Sequence, residues 1–361
     1  LRLTCLVGYP RTSAPEPIFR MEKILTIVIP TYNMQDYLRR CLDSLIVPEE
    51  QMQHLEVLVV NDGSKDNSSA IAHEYQDKYP DTFRVIDKEN GNYGSCVNRG
   101  LKEATGKYIK ILDADDWFDT ETFTNFISLL LTLDVDLVVT DFIFVNSLGK
   151  VTGNEIRGYK QNCILNFAQE YDALVKSGVP MFSITYKTCN LRLIDYKQTE
   201  GISYTDSEWS LIPMIMVNTF YYYPHFLYKY LKGREGQTVE GITYIKRTPQ
   251  RMQIFLRLLK ELGTLDRSKK QTMYFEYKIR QFALEIYRIL IVECPSVIDG
   301  KVLIDFDTEI KKLNNIFYKE LASDKIKKYY PVKYIAQWRN NGGKIPFLVK
   351  FFAVCRKIVK K

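Results

Sequence analysis

The sequence predicts an α/β fold, with a mainly parallel sheet, helices on both faces of that sheet, and a mostly helical C-terminal region. Between residues 24 and 144, short apolar runs of strand length alternate with segments whose apolar residues recur at helical spacing. This alternation is typical of βαβ units. From about residue 249 to residue 292 the apolar spacing is helical throughout. A chain of 361 residues accommodates one large domain with an appendage, or two domains.

Five strands are predicted in the first part of the chain, at 24–29, 55–60, 83–86, 108–112 and 137–144. Helical spacing separates them, at 37–45, 70–79, 95–104 and 123–133. After residue 150 the alternation weakens, and we predict loop and strand at 178–194, helix at 209–217 and a tyrosine-rich strand at 219–231. Ligands of parallel sheets bind beyond the carboxyl ends of the strands, so the polar residues that follow these strands are expected to converge on one site.

Net charge and cysteine usage indicate which classes of binding partner and which redox compartment to expect. The net charge of +7 favours an acidic partner, such as nucleic acid, an anionic membrane or a phosphorylated substrate. Seven scattered cysteines without a C-x-x-C pair, and three histidines without ligand spacing, argue against a zinc site or a disulfide framework and favour a reducing compartment. Residues 1–20 lack the long apolar core of a secretory signal, and we expect them to be a poorly ordered extension before a natural start at Met21.

Three carboxylates follow the strand that ends at Leu112, namely Asp113, Asp115 and Asp116. Packing alone does not explain them, because unpaired aspartate is costly to bury and like charges raise one another's pKa. A hard divalent cation takes oxygen ligands, and Mg²⁺ commonly uses one or two carboxylates plus substrate phosphates. A solvated turn in which an aspartate caps the next helix is the structural alternative.

Three further polar segments are candidates for the same site. Asp62, at the end of the second strand, could accept a hydrogen bond from a base ring, with Gly63 and Ser64 offering groups to phosphate or ribose, unless the segment is only an Asx turn. Residues 89–100 form a glycine-rich turn that lacks P-loop and dinucleotide-binding spacing but could bring backbone close to a ligand. Residues 204–209 are acidic and open a helix, where Thr205 or Asp206 could simply be the N-cap, with Glu208 in the first turn.

Four of these segments, taken together and in this order, resemble the family 2 glycosyltransferases of bacterial type. They are residues 27–33, IVIPTYN; 59–64, VVNDGS; 112–116, LDADD; and 204–209, YTDSEW. The resemblance covers about residues 22–232 and is specific as a set, although no single motif is. It implies the GT-A fold of nucleotide-diphospho-sugar transferases, with a Rossmann-like sheet, an inverting reaction, a nucleotide-sugar donor and a divalent metal, Mg²⁺ or Mn²⁺.

The resemblance also implies a role for each matching residue. Nucleotide-sugar binding is assigned to Pro30, Thr31, Tyr32, Asp62, Gly63, Asn92, Asp113 and Ala114. Asp62 would recognise the base, and Asp113 and Asp115 would form the D-x-D metal pair, with Asp115 the principal ligand. Asp206 matches the catalytic base. Asp116 is left to cap or orient the following helix.

The implied activity is transfer of a sugar, with a UDP-sugar as the expected donor, to a hydroxyl of a glycan or lipid-linked acceptor in cell-surface polysaccharide or capsule synthesis. Two departures from the family pattern stand out. Thr205 replaces a common glutamate before Asp206, and Val97 replaces an arginine, so a donor contact by that arginine does not carry over. Near residue 232, Lys232, Arg234 or the adjacent glycine loop could close over the diphosphate, or the segment could be a solvated loop.

The predicted organisation has three parts. Residues 1–21 are the extension, 22–232 the catalytic domain with a nucleotide-binding half (22–118) and an acceptor half (119–232), and 233–361 the helical region. Residues 345–361 carry an apolar stripe flanked by lysine and arginine, which predicts an amphipathic helix on a membrane surface, with packing onto the catalytic domain as the alternative. No apolar run reaches the roughly 20 residues that span a bilayer. We therefore expect a cytoplasmic protein that is peripheral on the inner face of the cell membrane.

Two other functions are less well supported. A sugar nucleotidyltransferase would carry a glycine-rich loop with arginine and lysine after the first strand, where this chain has Pro30, Thr31, Tyr32 and Asn33. A non-catalytic binding module would not require Asp113, Asp115 and Asp206, because a fold alone does not demand them. Nucleic-acid binding would rest on net charge alone and is not predicted.

Overall fold

The computed structural model describes residues 22–234, 241–294, 299–323 and 333–345. The predicted extension at 1–21 and the amphipathic tail, apart from its first residue Ile345, lie outside these ranges. Ten strands are found in the described part: β1 Leu25–Thr31, β2 Leu55–Asn61, β3 Phe83–Asp87, β4 Tyr108–Ile111, β5 Trp117–Phe118, β6 Leu137–Val145, β7 Val151–Glu155, β8 Ile164–Asn166, β9 Ile184–Lys187 and β10 Thr219–Leu231.

Helices fill the space between these strands and form the C-terminal region. They are α1 Gln35–Asp43, α2 Glu49–Met52, α3 Ser68–Lys78, α4 Asn92–Glu103, α5 Thr120–Thr132, α6 Tyr171–Ser177, α7 Thr188–Leu193, α8 Asp206–Leu211, α9 Gly241–Lys246, α10 Thr248–Leu262, α11 Lys270–Tyr287, α12 Gly300–Leu313, α13 Asn315–Leu321 and α14 Tyr334–Asn340. A π-type turn, Arg288–Glu293, extends α11, and two 3₁₀ turns occur at Met181–Ser183 and Pro213–Met216.

Two predicted segments differ from the structure in detail. Residues 178–194 contain a helix, α7, as well as the expected loop and strand. The helix predicted at 209–217 begins earlier, at Asp206, and gives way at Pro213 to a 3₁₀ turn. Proline has no backbone N–H to donate within a helix, which explains the break.

All ten strands belong to one sheet, whose main path runs β3-β2-β1-β4-β9-β6-β10-β5. The first four strands along this path are parallel. Beyond them the sheet is mixed, because β9 is inserted antiparallel between β4 and β6, while β10 runs parallel to β6. Strands β7 and β8 pair antiparallel with β6 and β10. The α/β prediction is confirmed. The four parallel strands, β1 to β4, all lie within residues 22–118, the half predicted to bind nucleotide.

Helices cover both faces of the sheet, as predicted. Strand β1 shows why, since successive side chains of a strand point to opposite faces. Ile27 and Ile29 join one apolar core with residues of α1 and α5. Val28 joins a second core, which contains Val97 and Leu101 of α4. A strand buried on both faces reads as a continuous apolar run, and all seven residues of β1 are buried.

The C-terminal helices share the second of these cores with the sheet. Phe220 of β10 and Trp209 of α8 belong to the same buried cluster as Phe255 of α10 and Phe275 of α11. The side chain of Gln271 also donates to the carbonyl of Val217, at 2.9 Å. None of the helices in the described ranges is long and apolar enough to cross a membrane.

Candidate active site

A cleft of about 350 Å³ lies beyond the carboxyl ends of β1, β2 and β4. These strands are adjacent in the sheet, so the residues that follow them meet at one edge. The cleft is lined by Pro30, Thr31, Tyr32, Met34, Asp62, Asn90, Asn92, Tyr93, Cys96, Asp113, Ala114, Asp115, Tyr230 and Arg234. Eight of the ten residues predicted for the site are among them, and Gly63 and Asp206 are not.

Asp62 lines the cleft and is almost fully buried, with 2% of its surface exposed. One carboxylate oxygen, Oδ1, accepts hydrogen bonds from Lys88 Nζ at 2.6 Å and from the backbone N–H of Gly91 at 2.9 Å. Asn90 donates to the backbone carbonyl of Asp62. The predicted base-recognising residue therefore also holds the glycine-rich turn against the end of β2.

Gly63 allows the close contact between Asp62 and the glycine-rich turn. Its φ is +72°, a conformation that side chains with a Cβ rarely adopt, and a Cβ at this position would lie 3.3 Å from the backbone nitrogen of Asn90. The chain can thus turn sharply after Asp62 and stay in contact with the glycine-rich turn.

The acidic cluster follows β4, and two of its members, Asp113 and Asp115, line the cleft. Asp113, Asp115 and Asp116 each place a carboxylate oxygen within 4.8 Å of the other two. The Tyr93 hydroxyl donates to Asp113 Oδ1 at 2.7 Å, and Arg234 Nε donates to Asp115 Oδ2 at 2.7 Å. Of the three candidates for closure near residue 232, Arg234 lines the cleft, whereas the ammonium of Lys232 lies 3.3 Å from the centre of the Phe144 ring.

Crowding of these carboxylates disfavours their charged forms. Burial, with the negative charge of Asp115 close by, raises the pKa of Asp113 to about 7. Burial and the neighbouring aspartates also raise the pKa of Asp116 well above its ordinary value. Like charges in a desolvated site can ionise together only if positive charge is brought in.

The expectation that Asp116 caps α5 is wrong. Its carboxylate is 1% exposed and accepts hydrogen bonds from the Tyr228 hydroxyl and the Leu231 backbone N–H, both at 2.7 Å, so it binds β10. The residue that caps α5 is Asp119, whose side chain accepts from the N–H of Thr122 at 3.1 Å. A cap must directly precede the first helical turn, and α5 begins at Thr120.

The remaining pair fits a divalent cation. Both carboxylate oxygens of Asp116 accept hydrogen bonds from β10. Asp113 accepts the Tyr93 hydroxyl with one oxygen, and Asp115 accepts Arg234 with one oxygen. An excess of negative charge explains both the raised pKa of Asp113 and the ion pair between Asp115 and the guanidinium of Arg234. Carboxylate oxygens are also the ligands that Mg²⁺ and Mn²⁺ prefer. Asp113 and Asp115 could therefore hold such an ion.

Asp206 is the first residue of α8 and lies close enough to the cleft to act on it electrostatically. Its negative charge contributes to the raised pKa values of Asp113 and of the cleft tyrosine Tyr93. Asp206 keeps a solvent-exposed face. The protein packed around it nevertheless desolvates the carboxyl and raises its pKa, while the N–H groups at the start of α8 and Arg251 oppose that rise. The exposed face limits how far the pKa moves.

Thr205 forms no side-chain cap at this helix start, whereas Glu208 does lie in the first turn. Thr205 precedes α8, but its side chain makes no cap hydrogen bond, and its hydroxyl is buried without a partner among the described residues. Glu208 does not reach back to the helix start. Its carboxylate instead binds Thr199 and Arg257.

Several cleft residues were not predicted as site residues. Asn90, Tyr93 and Cys96 belong to the glycine-rich turn, whose closeness to a ligand was expected without named contacts. Met34 and Tyr230 carry no motif that could have marked them. Val97, at the position where the family pattern has arginine, is fully buried in the core, which agrees with the expectation that it makes no donor contact.

Comparison with known proteins places this geometry in a family. The family model described as glycosyl transferase family 2 matches residues 26–184, which include β1, β2, β4 and the acidic cluster. Residues 26–184 belong to glycosyltransferase family 2. The chain is 41% identical over 102 residues to the uncharacterized glycosyltransferase MG025 of Mycoplasma genitalium, an alignment that covers 28% of this chain and 34% of the relative. It is 34% identical over 121 residues to the minor teichoic acid biosynthesis protein GgaB of Bacillus subtilis, covering 33% of this chain and 13% of GgaB.

These curated relatives are matched over about a third of their length or less. The fold match to a solved structure is more extensive. Residues 1–349 of TarS from S. aureus, crystallised with UDP-GlcNAc, superpose with a TM-score of 0.64 at 17% sequence identity, covering 93% of this chain and 91% of that one. The fold is accordingly the GT-A fold with a helical C-terminal region, as predicted.

Proposed function

We propose that the protein is a metal-dependent, inverting glycosyltransferase, which moves a sugar from a nucleotide-diphosphate sugar to a hydroxyl of a glycan or lipid-linked acceptor. The observation that carries this proposal is that Asp62, Asp113 and Asp115 line one cleft, and that Asp206, from a third part of the chain, acts electrostatically on Asp113. Family membership supports the reaction type. The name of GgaB, a teichoic acid biosynthesis protein, supports a cell-surface polymer as the acceptor class.

Nucleotide binding follows from the residues at the end of β1 and β2. Tyr32 is 46% exposed and offers an aromatic face, and Asp62 and the turn around Asn90 enclose the base end of the cleft. Arg234 brings a guanidinium whose planar fork suits phosphate oxygens. A UDP-sugar is the first donor to test.

The bond-making step is assigned to Asp206. As general base, its carboxylate takes the proton from the acceptor hydroxyl while that oxygen attacks the anomeric carbon from the face opposite the leaving diphosphate. A single displacement inverts the configuration at that carbon. Mg²⁺ or Mn²⁺ bound by Asp113 and Asp115 would supply positive charge to the leaving diphosphate. Tyr93 orients Asp113 for this role through its hydrogen bond.

A donor screen tests the proposal. UDP-, GDP- and dTDP-sugars are offered with Mg²⁺ or Mn²⁺ and with glycan or lipid-linked acceptors, and release of the nucleoside diphosphate is measured. We expect the wild-type chain to release it from one donor class, and Asp206→Asn to lower turnover by about 10²- to 10⁴-fold, the usual contribution of a general base. Asp305→Asn, on the exposed face of α12, is the matched control and should retain full turnover.

The same assay separates the alternatives. A sugar nucleotidyltransferase would release pyrophosphate from a nucleoside triphosphate and a sugar phosphate, whereas a binding module would bind a nucleotide sugar and release nothing. Turnover of Asp206→Asn equal to wild type, or the absence of any turned-over donor, would show that the proposed function is wrong.

A further inference from the structure

Glu208 lies two residues after the proposed base in α8 and is fully buried, with 0% of its surface exposed. A buried carboxylate is retained only where it is well paired. Its Oε2 accepts the backbone N–H of Thr199 at 2.7 Å, and its Oε1 accepts the Thr199 hydroxyl at 2.7 Å and Arg257 Nη1 at 2.8 Å. Glu208 thus joins α8 to the segment before it and to a helix of the C-terminal region.

Arg257, in the middle of α10, completes the same junction. Its Nη1 also donates to the Thr199 hydroxyl at 2.9 Å, and its Nη2 donates to the carbonyl of Lys197. The planar guanidinium therefore contacts a carboxylate, a hydroxyl and a carbonyl at once, a geometry that lysine cannot reproduce. We call residues 197–201, which are held between α8, α10 and α4, the strap.

The other side of the strap is fixed to the donor side of the cleft. The N–H of Gly201 donates to the carbonyl of Gly91 at 2.9 Å. The Asn98 side chain brackets Gln198, accepting its N–H at 2.7 Å and donating to its carbonyl at 2.9 Å. Gly91 in turn donates its N–H to Asp62. A continuous set of hydrogen bonds therefore runs from the base end of the cleft, through the strap and Glu208, to the helix that carries Asp206.

We propose that Glu208 and Arg257 are positioning residues, which fix the helix carrying Asp206 relative to the donor pocket and make α10 part of the working active site. This inference rests on the proposed function. Helix α8 has only six residues and no side-chain cap at its start, so it cannot hold Asp206 by itself. A general base displaced by about 1 Å can lose about 100-fold in rate.

The test compares Glu208→Gln and Arg257→Lys with wild type. Both changes keep the side chains near their original size, and each removes part of the junction. We expect kcat for UDP release, from the donor identified in the screen, to fall about 10- to 100-fold, with the donor KM and the Kd for UDP with Mn²⁺ within about twofold of wild type. The stoichiometry of UDP binding gives the folded fraction, so loss of folded protein cannot imitate a fall in kcat.

Thr199 offers a conservative pair of variants. Thr199→Ser keeps the hydroxyl that bonds Glu208 and Arg257 and should retain kcat within about threefold, whereas Thr199→Val removes it and should behave like Glu208→Gln. Arg267→Met, which removes a largely exposed arginine whose nearest carboxylate contact with Glu276 spans 3.8 Å, is the matched control in the same region and should leave kcat unchanged.

Three outcomes would overturn the inference: an unchanged kcat in Glu208→Gln and Arg257→Lys, a rise in donor KM that accounts for the whole effect, or equal activity of Thr199→Ser and Thr199→Val. If the wild-type chain releases nucleotide from none of the donors, the proposed function is wrong, but the positioning role can still be tested. Amide hydrogen exchange then shows whether the contacts of Glu208 and Arg257 fix α8. Exchange at residues 206–211 should then be at least about 10-fold faster in Glu208→Gln than in Arg267→Met, and equal rates would refute the positioning role.

Discussion

Asp206 and the three aspartates of the acidic cluster differ in how far they are removed from solvent and in the groups that compensate their charge. Asp116 is satisfied by the Tyr228 hydroxyl and a backbone N–H, and it stays buried as part of the structure. Asp115 faces the guanidinium of Arg234. Asp206 keeps contact with solvent at the start of a helix, where an acceptor hydroxyl could approach. Each carboxyl therefore has a different electrostatic environment.

The raised pKa of Asp206 predicts the acid limit of turnover. A base must be deprotonated to act, so kcat should fall as the pH drops through the Asp206 pKa, at a pH above the ordinary aspartate value of about 3.9. The measurement is the pH profile of nucleotide release, at saturating donor and at two concentrations of Mn²⁺.

Comparing the two Mn²⁺ concentrations distinguishes the acid limb of the pH profile due to Asp113 from the limb due to Asp206. Asp113, whose pKa is raised to about 7, must lose its proton to bind a cation, so a limb due to Asp113 should move to lower pH as Mn²⁺ increases. The limb that does not move is assigned to Asp206. If every limb moves with Mn²⁺, or the acid limit lies at the ordinary aspartate value, the assignment is wrong.

At the scale of elements, the closest approach in the site is between α4 and the strap. Gly94 lies in the first turn of α4, and a Cβ there would be 2.1 Å from the backbone carbonyl oxygen of Thr199. Backbone atoms cannot turn aside as a flexible side chain can. Only glycine lets α4, whose first turn lines the cleft, touch the strap that leads to Asp206.

Gly94→Ala should therefore destabilise the protein by about 3 kcal/mol, because overpacking forces backbone to move. Gly300→Ala is the matched control, since a Cβ at Gly300 meets nothing within 4 Å, and its stability should stay within about 0.5 kcal/mol of wild type. Urea unfolding followed by circular dichroism measures both. Equal stability of the two variants would contradict the close contact.

At the scale of the whole molecule, the helical region and the sheet form a common core. Tyr274 of α11 packs edge-on against Phe167, with ring centres 5.7 Å apart, and Arg257 of α10 reaches the buried Glu208. The boundary predicted near residue 232 therefore divides the chain in sequence, but the hydrophobic core contains residues from both sides of it. We propose that the two regions fold as a unit.

A fragment of residues 22–234 tests that proposal. Without α10 and α11 the apolar face around Trp209 and Phe220 would be exposed, so we expect no cooperative unfolding transition by near-ultraviolet circular dichroism. A fragment of residues 22–345 is the control and should unfold in a single cooperative transition. A cooperative transition in the shorter fragment would show that the catalytic domain is independent of the helical region.

The strands of the parallel half and the residues after them could be predicted from sequence, because these features are local. A strand buried on both faces is a run such as LTIVIPT, and the turn after β2 consists of Asp62, Gly63 and Ser64, residue types that favour turns. The insertion of β9 between β4 and β6 could not be predicted, since a four-residue strand carries too little pattern to fix its neighbours or its direction.

The sequence by itself determined the α/β class, the clustering of Asp62, Asp113 and Asp115 at one sheet edge, and the family resemblance, since each depends on short segments and their order. Only the tertiary structure decided that Asp116 binds β10, that Arg234 and Tyr93 face the acidic cluster, and that Glu208 joins Arg257. The physical reason is distance along the chain. Partners 20 to 119 residues apart in sequence meet only where the backbone path brings them together, and no local pattern encodes that path.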